Sequence, residues 1–409
     1  MSKRQNRPVC RSQGGPVLRQ SGGFTLVELM ITMIIFILAI TAASQIFVGL
    51  LTQFKQQSKI AETNIEGVIG LELLRADIEQ AGFGLPRDMN GVTYVEAVND
   101  QATWWNTPSP DARTGYNDNN NPPRAIVIGP QNGMNNSDIL VVKATNVATS
   151  DAAHKSTYVA DDGSIQTTGS AKEDLLNTDW VIALFPDLTG MPTVLLNGGV
   201  QFTFNGTPPV TTARLGAAPG TINLVYGISP AGPLRMPFNR ADYYIRRPTT
   251  AGSMPARCAP GTGVLYKATL NHADGKHSEM PLLDCVVDMQ VVFGLDTNGD
   301  KVADFFGDIP VGYTAQQIRD QVIDVRVYIV AQEGQIDTTY TYKNSVRGPD
   351  ALCDVDSVVC INYTNSNTGA QVYYKAVDVS ALPGIGTGWK NYRWKLYTLV
   401  AKPYFSLQQ

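Results

Sequence analysis

The chain has 409 residues, 43% of them hydrophobic and 17% charged, with a formal net charge of −4. That length holds one large or two ordinary domains. The acidic balance excludes broad affinity for nucleic acid, which depends on clustered cations that neutralise phosphates.

The first element is a basic leader, residues 1–23, with Lys3, Arg4, Arg7, Arg11 and Arg19 and no acid; it ends at Gly22-Gly23. Without it the chain would be more acidic still. A nearly unbroken apolar run follows from Phe24 to Leu51, and one carboxylate, Glu28, lies near its start. As a helix this run would span about 42 Å, against a hydrocarbon core of about 30 Å. The length fits a transmembrane anchor and is too great for a core helix of a soluble protein. A cleaved secretory signal would place its small residues after the apolar core. Here Gly22 and Gly23 come before it, so a cut there leaves the core on the mature protein. The positive leader predicts a cytoplasmic leader and a chain that lies outside the inner membrane after Leu51.

A carboxylate inside a bilayer costs roughly 2.5–3.5 kcal/mol. Glu28 therefore calls for a partner. A cationic N-terminus, its own or a neighbour's, would offset that cost and fix the axial register of packed helices. The plainer reading has Glu28 meeting water at the membrane interface.

Beyond Leu51 the chain turns polar without a breaker. Ile65, Val68, Leu71, Leu74, Ile78 and Ala81 recur every three or four residues, which predicts a one-sided apolar stripe laid on a sheet. Glu72, Arg75 and Glu79 are spaced for helical ion pairs. Gly67 and Gly70 weaken the helix by about 1 kcal/mol each and allow close packing. Gly82, Gly84 and Pro86 end it. The expected helix, Phe24–Ala81, would be about 87 Å long.

The rest, residues 83–409, reads as short β-branched and aromatic runs separated by Gly, Pro, Asn and Asp. Expected strands are Ala125–Ile128, Ile139–Ala144, Trp180–Phe185, Val200–Phe204, Ile222–Tyr226, Tyr243–Arg246, Val264–Thr269, Val286–Phe293, Val322–Val330, Thr338–Tyr342, Val372–Val377 and Trp394–Val400. Ala315–Gln321 alone has a helical period. The connections are too short for helical crossovers, so the sheets should be mainly antiparallel. Long loops are expected near 99–123, 205–221 and 344–369. Val287, Met289, Val291 and Phe293 alternate against Asp288, Gln290 and Val292, the pattern of a half-buried strand. The fold class is α+β: a long N-terminal helix, half in the membrane and half on a sheet, then a large antiparallel region.

Cys10 lies in the leader. Cys258, Cys285, Cys353 and Cys360 form an even set beyond the anchor, which points to disulfides in an oxidising compartment. Three pairings are open; easy closure of local loops favours Cys353–Cys360 and Cys258–Cys285. Without a Cys-x-x-Cys, a zinc or redox reading is weak.

Asp296, Asn298, Asp300 and Asp304 offer oxygens at alternating positions, as in the first part of an EF-hand-like Ca²⁺ loop. Lys301 stands where such loops turn on glycine, and no bidentate glutamate follows. A hairpin turn closed by Asx hydrogen bonds is the other reading. No further cofactor is expected. His272 and His277 read as solvated loop residues. Gly384, Gly386 and Gly388 lack the strand and helix of a phosphate cradle. Tyr373, Tyr374, Tyr392, Trp394 and Tyr397 read as strand residues. No nucleophile signature occurs, so an anchored enzyme lacks its constellation.

Gly22-Gly23-Phe24-Thr25-Leu26-Val27-Glu28-Leu29-Met30 resembles the processing site of type IV prepilins, which type II secretion pseudopilins share. The resemblance implies a cut by prepilin peptidase between Gly23 and Phe24, N-methylation of Phe24, and an assembly role for Glu28. Family members often carry a proline later in the run; here none occurs between Phe24 and Gly82. Leu73–Gly84 resembles the helix end of PilW-type minor pilins, with Glu79 in place of the usual arginine. The strands between Leu282 and Val330 resemble their C-terminal strands. Residues 85–240 and 331–409 resemble nothing nameable. A PilW-like protein is implied to be a minor pilin, not an enzyme, that primes pilus assembly near the tip. It would rest in the inner membrane, globular part in the periplasm, and then join the pilus. Its implied partners are prepilin peptidase, other minor pilins, the major pilin and a tip adhesin. A type II secretion pseudopilin is the near alternative; a pilin-anchored adhesin or ligand-binding module is one of another class.

Overall fold

Apolar continuity from Phe24 carries into a single unbroken helix, α1 (Leu26–Glu79), in the computed structural model. The structure describes residues 23–405 apart from 90, 99–113, 161–163, 171, 187–191, 195–201, 205–222, 249, 251, 310–311, 345–349, 366–368 and 370. The leader 1–22, the expected loop at 205–221 and parts of those at 99–123 and 344–369 lie outside the described residues. The chain divides into two compact units, Met1–Lys55 and Gln56–Gln409.

In the first unit every described side chain is exposed. The hydroxyls of Thr32, Thr41 and Thr52 donate to the carbonyls of Leu29, Ile37 and Val48 at 2.9, 2.7 and 2.9 Å. These three hydroxyls are thus satisfied by the helix's own carbonyls, as a lipid-facing segment requires. Among the described residues α1 is the one helix long and apolar enough to cross a membrane.

The second unit contains the rest of α1, a short helix α2 (Ala315–Gln321) and fifteen strands. These are β1 (Ile126–Gly129), β2 (Ile139–Ala144), β3 (Ser156–Val159), β4 (Trp180–Pro186), β5 (Pro192–Val194), β6 (Phe202–Thr203), β7 (Asn223–Ser229) and β8 (Asn239–Arg246). The remainder are β9 (Gly263–Leu270), β10 (His277–Leu295), β11 (Phe305–Gly307), β12 (Val322–Glu333), β13 (Val358–Thr364), β14 (Gln371–Asp378) and β15 (Arg393–Ala401). The large sheet runs β1-β2-β8-β9-β10-β12-β15, with β11 also on β10; a second runs β3-β7-β4-β5, with β6 on β4; β13 and β14 form a hairpin. The expected antiparallel arrangement holds: all these pairings are antiparallel.

Two expectations about burial fail, for separate reasons. The face of α1 that meets the sheet is not Ile65 and Val68, which are exposed. It is Thr63, Gly67, Gly70, Leu74, Asp77, Ile78 and Ala81. Small and polar residues do the docking because the helix backbone comes very close: a Cβ on Gly70 would lie 2.3 Å from the Leu282 carbonyl oxygen. Leu74 and Ile78 then complete a core with Leu140, Tyr243, Met289, Val291, Phe293 and Val327, among others, each buried side chain contributing roughly 1.5–3 kcal/mol. Secondly, β10 is buried on both faces rather than one. Val287 and Val292 belong to another core with Tyr328, Val359, Ile361, Val377 and Trp394. The β13–β14 hairpin supplies much of that second cover, and Lys375 on β14 pairs with buried Asp288 at 3.0 Å. A register shift between Val286 and Asp288 turns Val287 away from Met289 and onto this second face.

Thr338–Tyr342 is not a strand. Asp337 accepts from the Thr339 amide and hydroxyl at 3.0 and 2.7 Å and holds a turn there. Strand β13 lies inside the expected loop at 344–369, and β3, β5 and β11 were also unexpected.

The close approach separates the two helix glycines. A Cβ at Gly67 would stand 3.4 Å from the Tyr397 hydroxyl, an ordinary contact. Gly70→Ala should destabilise by about 1–3 kcal/mol, whereas Gly67→Ala should be neutral or gain up to about 1 kcal/mol from helix propensity. Thermal denaturation of the two variants checks this; equal effects would disprove the backbone contact.

Candidate functional site

The residues singled out for processing and assembly occupy the start of α1. Gly23 and Phe24 are exposed and precede the helix. Thr25 and Glu28 close a reciprocal capping box. The Glu28 carboxylate accepts from the Thr25 amide at 2.9 Å and its hydroxyl at 3.0 Å, while the Glu28 amide donates to the Thr25 hydroxyl at 3.2 Å. Two otherwise orphaned amides are thereby satisfied, and the carboxylate sits at the positive end of the helix dipole. Sequence reasoning weighed a cationic N-terminus, its own or a neighbour's, and interfacial water for Glu28. The pattern Thr-x-x-Glu was legible as a cap and was overlooked.

Further along, in the globular unit, α1 keeps a second apolar face. Ile65, Val68, Ile69 and Leu73 are 62%, 59%, 59% and 40% exposed. At 100° per residue Ile65, Val68 and Ile69 lie away from the face of Gly67, Gly70, Leu74 and Asp77, with Leu73 at the edge between the two. The helix end is locked by charge. Asp77 accepts from Tyr243 and pairs with Lys267, both on the large sheet. Burial pushes the Asp77 carboxyl up from its ordinary value, and Lys267 works against that rise. Arg75 and Glu79 pair at 2.9 Å on the exposed side, as their spacing predicts.

A chain of buried charges stands behind the sheet's β2 and β8 strands. Lys143 bridges Asp118 and Glu96, Glu96 meets Arg240 at 3.1 Å, Arg240 meets Asp242 at 2.7 Å, and Asp242 meets His277 at 2.9 Å. Burial alone would raise the Asp118 carboxyl, but Lys143 and Arg124 outweigh it and hold it below the usual range. The network ties loop residues Glu96 and Asp118 to the sheet.

The histidines correct the sequence reading, for His272 and His277 are buried. His272 Nδ1 accepts the Arg235 amide at 3.2 Å, and Nε2 faces the Asn239 Oδ1 at 3.0 Å. The neutral ring fits both neighbours, with Nε2–H donating. Burial, with Arg235 nearby, pulls its pKa down to about 4. Because the folded pKa lies below the unfolded one, this ring costs nothing above about pH 6.5 and costs stability as pH falls towards 4. His272→Gln should therefore lose less stability than the parent between pH 7 and 4, a difference on the order of 3 kcal/mol. Urea titrations at the two pH values measure it, and parallel pH profiles would contradict it.

The Asp296–Asp304 segment forms a turn rich in Asx bonds. Asp296 accepts from the Asn298, Gly299 and Lys301 amides at 3.1, 2.6 and 2.7 Å. Asp304 accepts from the Thr297 amide and hydroxyl at 3.1 and 2.9 Å, and Asn298 and Asp300 accept from the Asp300 and Val302 amides. Among the described residues no group of three His, Cys, Asp or Glu side chains is placed to hold a metal ion. The favoured disulfide pairing is present: Cys258–Cys285 and Cys353–Cys360, with Cα–Cα distances of 4.9 and 5.6 Å.

Comparison with known families fits this architecture. Residues 18–44 match the prokaryotic N-terminal methylation motif. The apolar start of α1 thus resembles that of prepilin-type chains, which fits a membrane-anchored pilin. Residues 242–377, from β8 to β14, match the family of PilW, the type IV pilus-assembly protein W. Together the matches are those of a PilW-like chain of the type IV prepilin class, a structural rather than an enzymatic family, and they support a pilus-associated minor pilin. Such a chain is expected to meet other pilins and the prepilin peptidase. The second match reaches beyond the strands between Leu282 and Val330, into β8, β9, β13 and β14, while the helix end at 73–84 lies outside both. No curated protein and no solved structure matches the chain.

Proposed function

We propose that this chain is a minor pilin that primes type IV pilus assembly and occupies a position near the pilus tip. The observation that carries this reading is the second apolar face of α1. A helix that served only as a membrane anchor would need no Ile65, Val68, Ile69 and Leu73 beyond the bilayer, on the side turned away from its own sheet. Packing against helices of neighbouring pilins gives that face a use. The PilW match favours the pilus over a type II secretion system.

In this proposal prepilin peptidase cuts between Gly23 and Phe24 and Phe24 is N-methylated. The basic leader stays cytoplasmic, and the globular unit with its two disulfides faces the periplasm. Other minor pilins, the major pilin and a tip adhesin are the partners. Glu28 exchanges the Thr25 cap for the Phe24 amine of its own or a neighbouring subunit during assembly.

Substitutions at the cap separate charge from capping. Glu28→Gln keeps a capping residue but loses the charge, and Thr25→Val keeps the charge but loses the cap. If charge pairing drives assembly, Glu28→Gln and Glu28→Ala should both fail to enter surface pili, while Thr25→Val should enter. Immunoblots of sheared pili read this; normal incorporation of Glu28→Gln would remove the pairing step. Deleting the protein should abolish surface pili and leave type II secretion intact. Intact pili with lost secretion would favour the pseudopilin, and intact pili with lost surface binding the anchored adhesin.

A further inference from the structure

Lys143, on β2, holds a buried amine between two carboxylates. Its Nζ lies 2.5 Å from Asp118 Oδ2, 2.8 Å from Glu96 Oε2 and 2.9 Å from the Tyr116 carbonyl, so each of its protons has one acceptor. The side chains of Lys143 and Glu96 have no exposed surface, and that of Asp118 is 3% exposed. Aromatic rings close the site: the Phe238 ring centre is 5.6 Å from Nζ, and Tyr94 meets that ring edge-on at 5.4 Å. The acid is held as firmly as the amine. The Arg124 amide donates to Asp118 Oδ2 at 2.9 Å and its Nε to Oδ1 at 2.5 Å, while the Asp118 amide donates to Glu96 Oε1 at 2.7 Å.

An amine and a carboxylic acid fixed in contact, away from water and with a second carboxylate on the amine, are the reactants and the base of an amide condensation. Holding reactants together in this way gives effective concentrations of about 10⁵–10⁸ M, and a dry site favours the product that releases water. We propose that Lys143 and Asp118 condense to an intramolecular isopeptide bond, with Glu96 as the proton carrier. The ammonium first passes one proton to Oδ2, which leaves a neutral amine beside a neutral acid. Burial favours the neutral acid, but Lys143 and Arg124 outweigh it at rest, so this transfer is the slow step. Nζ then attacks Asp118 Cγ, and Arg124 Nε donates to Oδ1 as that oxygen takes up negative charge. Glu96 Oε2 removes a second proton from Nζ and delivers it to Oδ2. The Cγ–Oδ2 bond breaks and one water leaves; the Nζ–Cγ bond remains, with the third proton as an amide N–H. One cation and one anion vanish together, so Glu96 and Asp242 still balance Arg240 and Arg124, and Arg124, 23% exposed, meets water. The bond ties the Asp118 loop covalently to the large sheet.

Mass spectrometry of the full-length protein, purified in detergent micelles, reduced, denatured and digested, reads this directly. Trypsin cuts after Arg124 and Lys155 but not after a linked Lys143. Fragments 114–124 and 125–155 should therefore appear as one branched species, lighter than their sum by one water. Lys143→Arg keeps the charge but lacks the amine, and should release 114–124, 125–143 and 144–155 separately. Glu96→Gln should slow linkage by about 100-fold or more, followed by pulse labelling after synthesis. The proposal is overturned if the parent protein yields the three separate fragments and no branched species, because an ion pair leaves Lys143 open to trypsin once the chain is denatured. It is equally overturned if Glu96→Gln links as fast as the parent. The parent digest needs no variant to fold, so it decides the matter by itself.

Discussion

The globular unit depends on how α1 meets the large sheet: backbone against backbone at Gly70, and one carboxylate, Asp77, withdrawn from water between Lys267 and Tyr243. Neither contact tolerates rotation of the helix. A turn of one residue, about 100°, would carry Asp77 off its partners and drive a larger side chain against the Leu282 carbonyl. An unpaired buried charge costs about 3–5 kcal/mol, so the pair fixes rotational register as well as adding to stability. The fixed register in turn determines which apolar residues of α1 remain outside.

The same economy of orientation applies on the other side of the sheet. Strand β10 has cores on both faces, so its polar residues cannot turn to water. Asp288 meets Lys375, and Gln290 donates to the Asp288 carboxylate at 2.7 Å. The buried chain from Asp118 to His277 does for the loops what Asp77 does for the helix. Each charge in it has a neighbour of opposite sign, and this alternation makes full burial of Lys143 and Arg240 tolerable.

Much of this was legible in the chain. The apolar run, the helix end at Gly82, the antiparallel class and the disulfide pairs follow from run length, breakers and loop closure. Ile139–Ala144 and Ala315–Gln321 agree with the structure to the residue. The errors arise where tertiary contact overrides local pattern. Apolar periodicity chose Ile65 and Val68 because it gives glycine no weight, yet glycine is what lets two backbones touch. Polar alternation in β10 implied a wet face because the hairpin that covers it lies some 70 residues downstream. The histidines were misjudged for the same reason, since Asn239 and Asp242, which satisfy them, sit on another strand.

The contacts of α1 also impose an order on biogenesis. Its neighbours lie far downstream: Tyr243 is 166 residues beyond Asp77, the Gly334 amide that donates to Thr63 is 271 beyond, and Lys395, which bonds Asn64 at 3.0 Å, is 331 beyond. The helix emerges first from synthesis but completes its packing only with the last strand, β15. Such long-range closure is slow. Asp77 gains Tyr243 and Lys267 once β8 and β9 are made, but Asn64 and Gly67 wait for Lys395 and Tyr397 of β15. A chain that stops before β15 would carry a complete membrane anchor attached to an incompletely docked helix. The C-terminal strand is thus where folding of the globular unit is finished and where an incomplete subunit would first differ from a whole one.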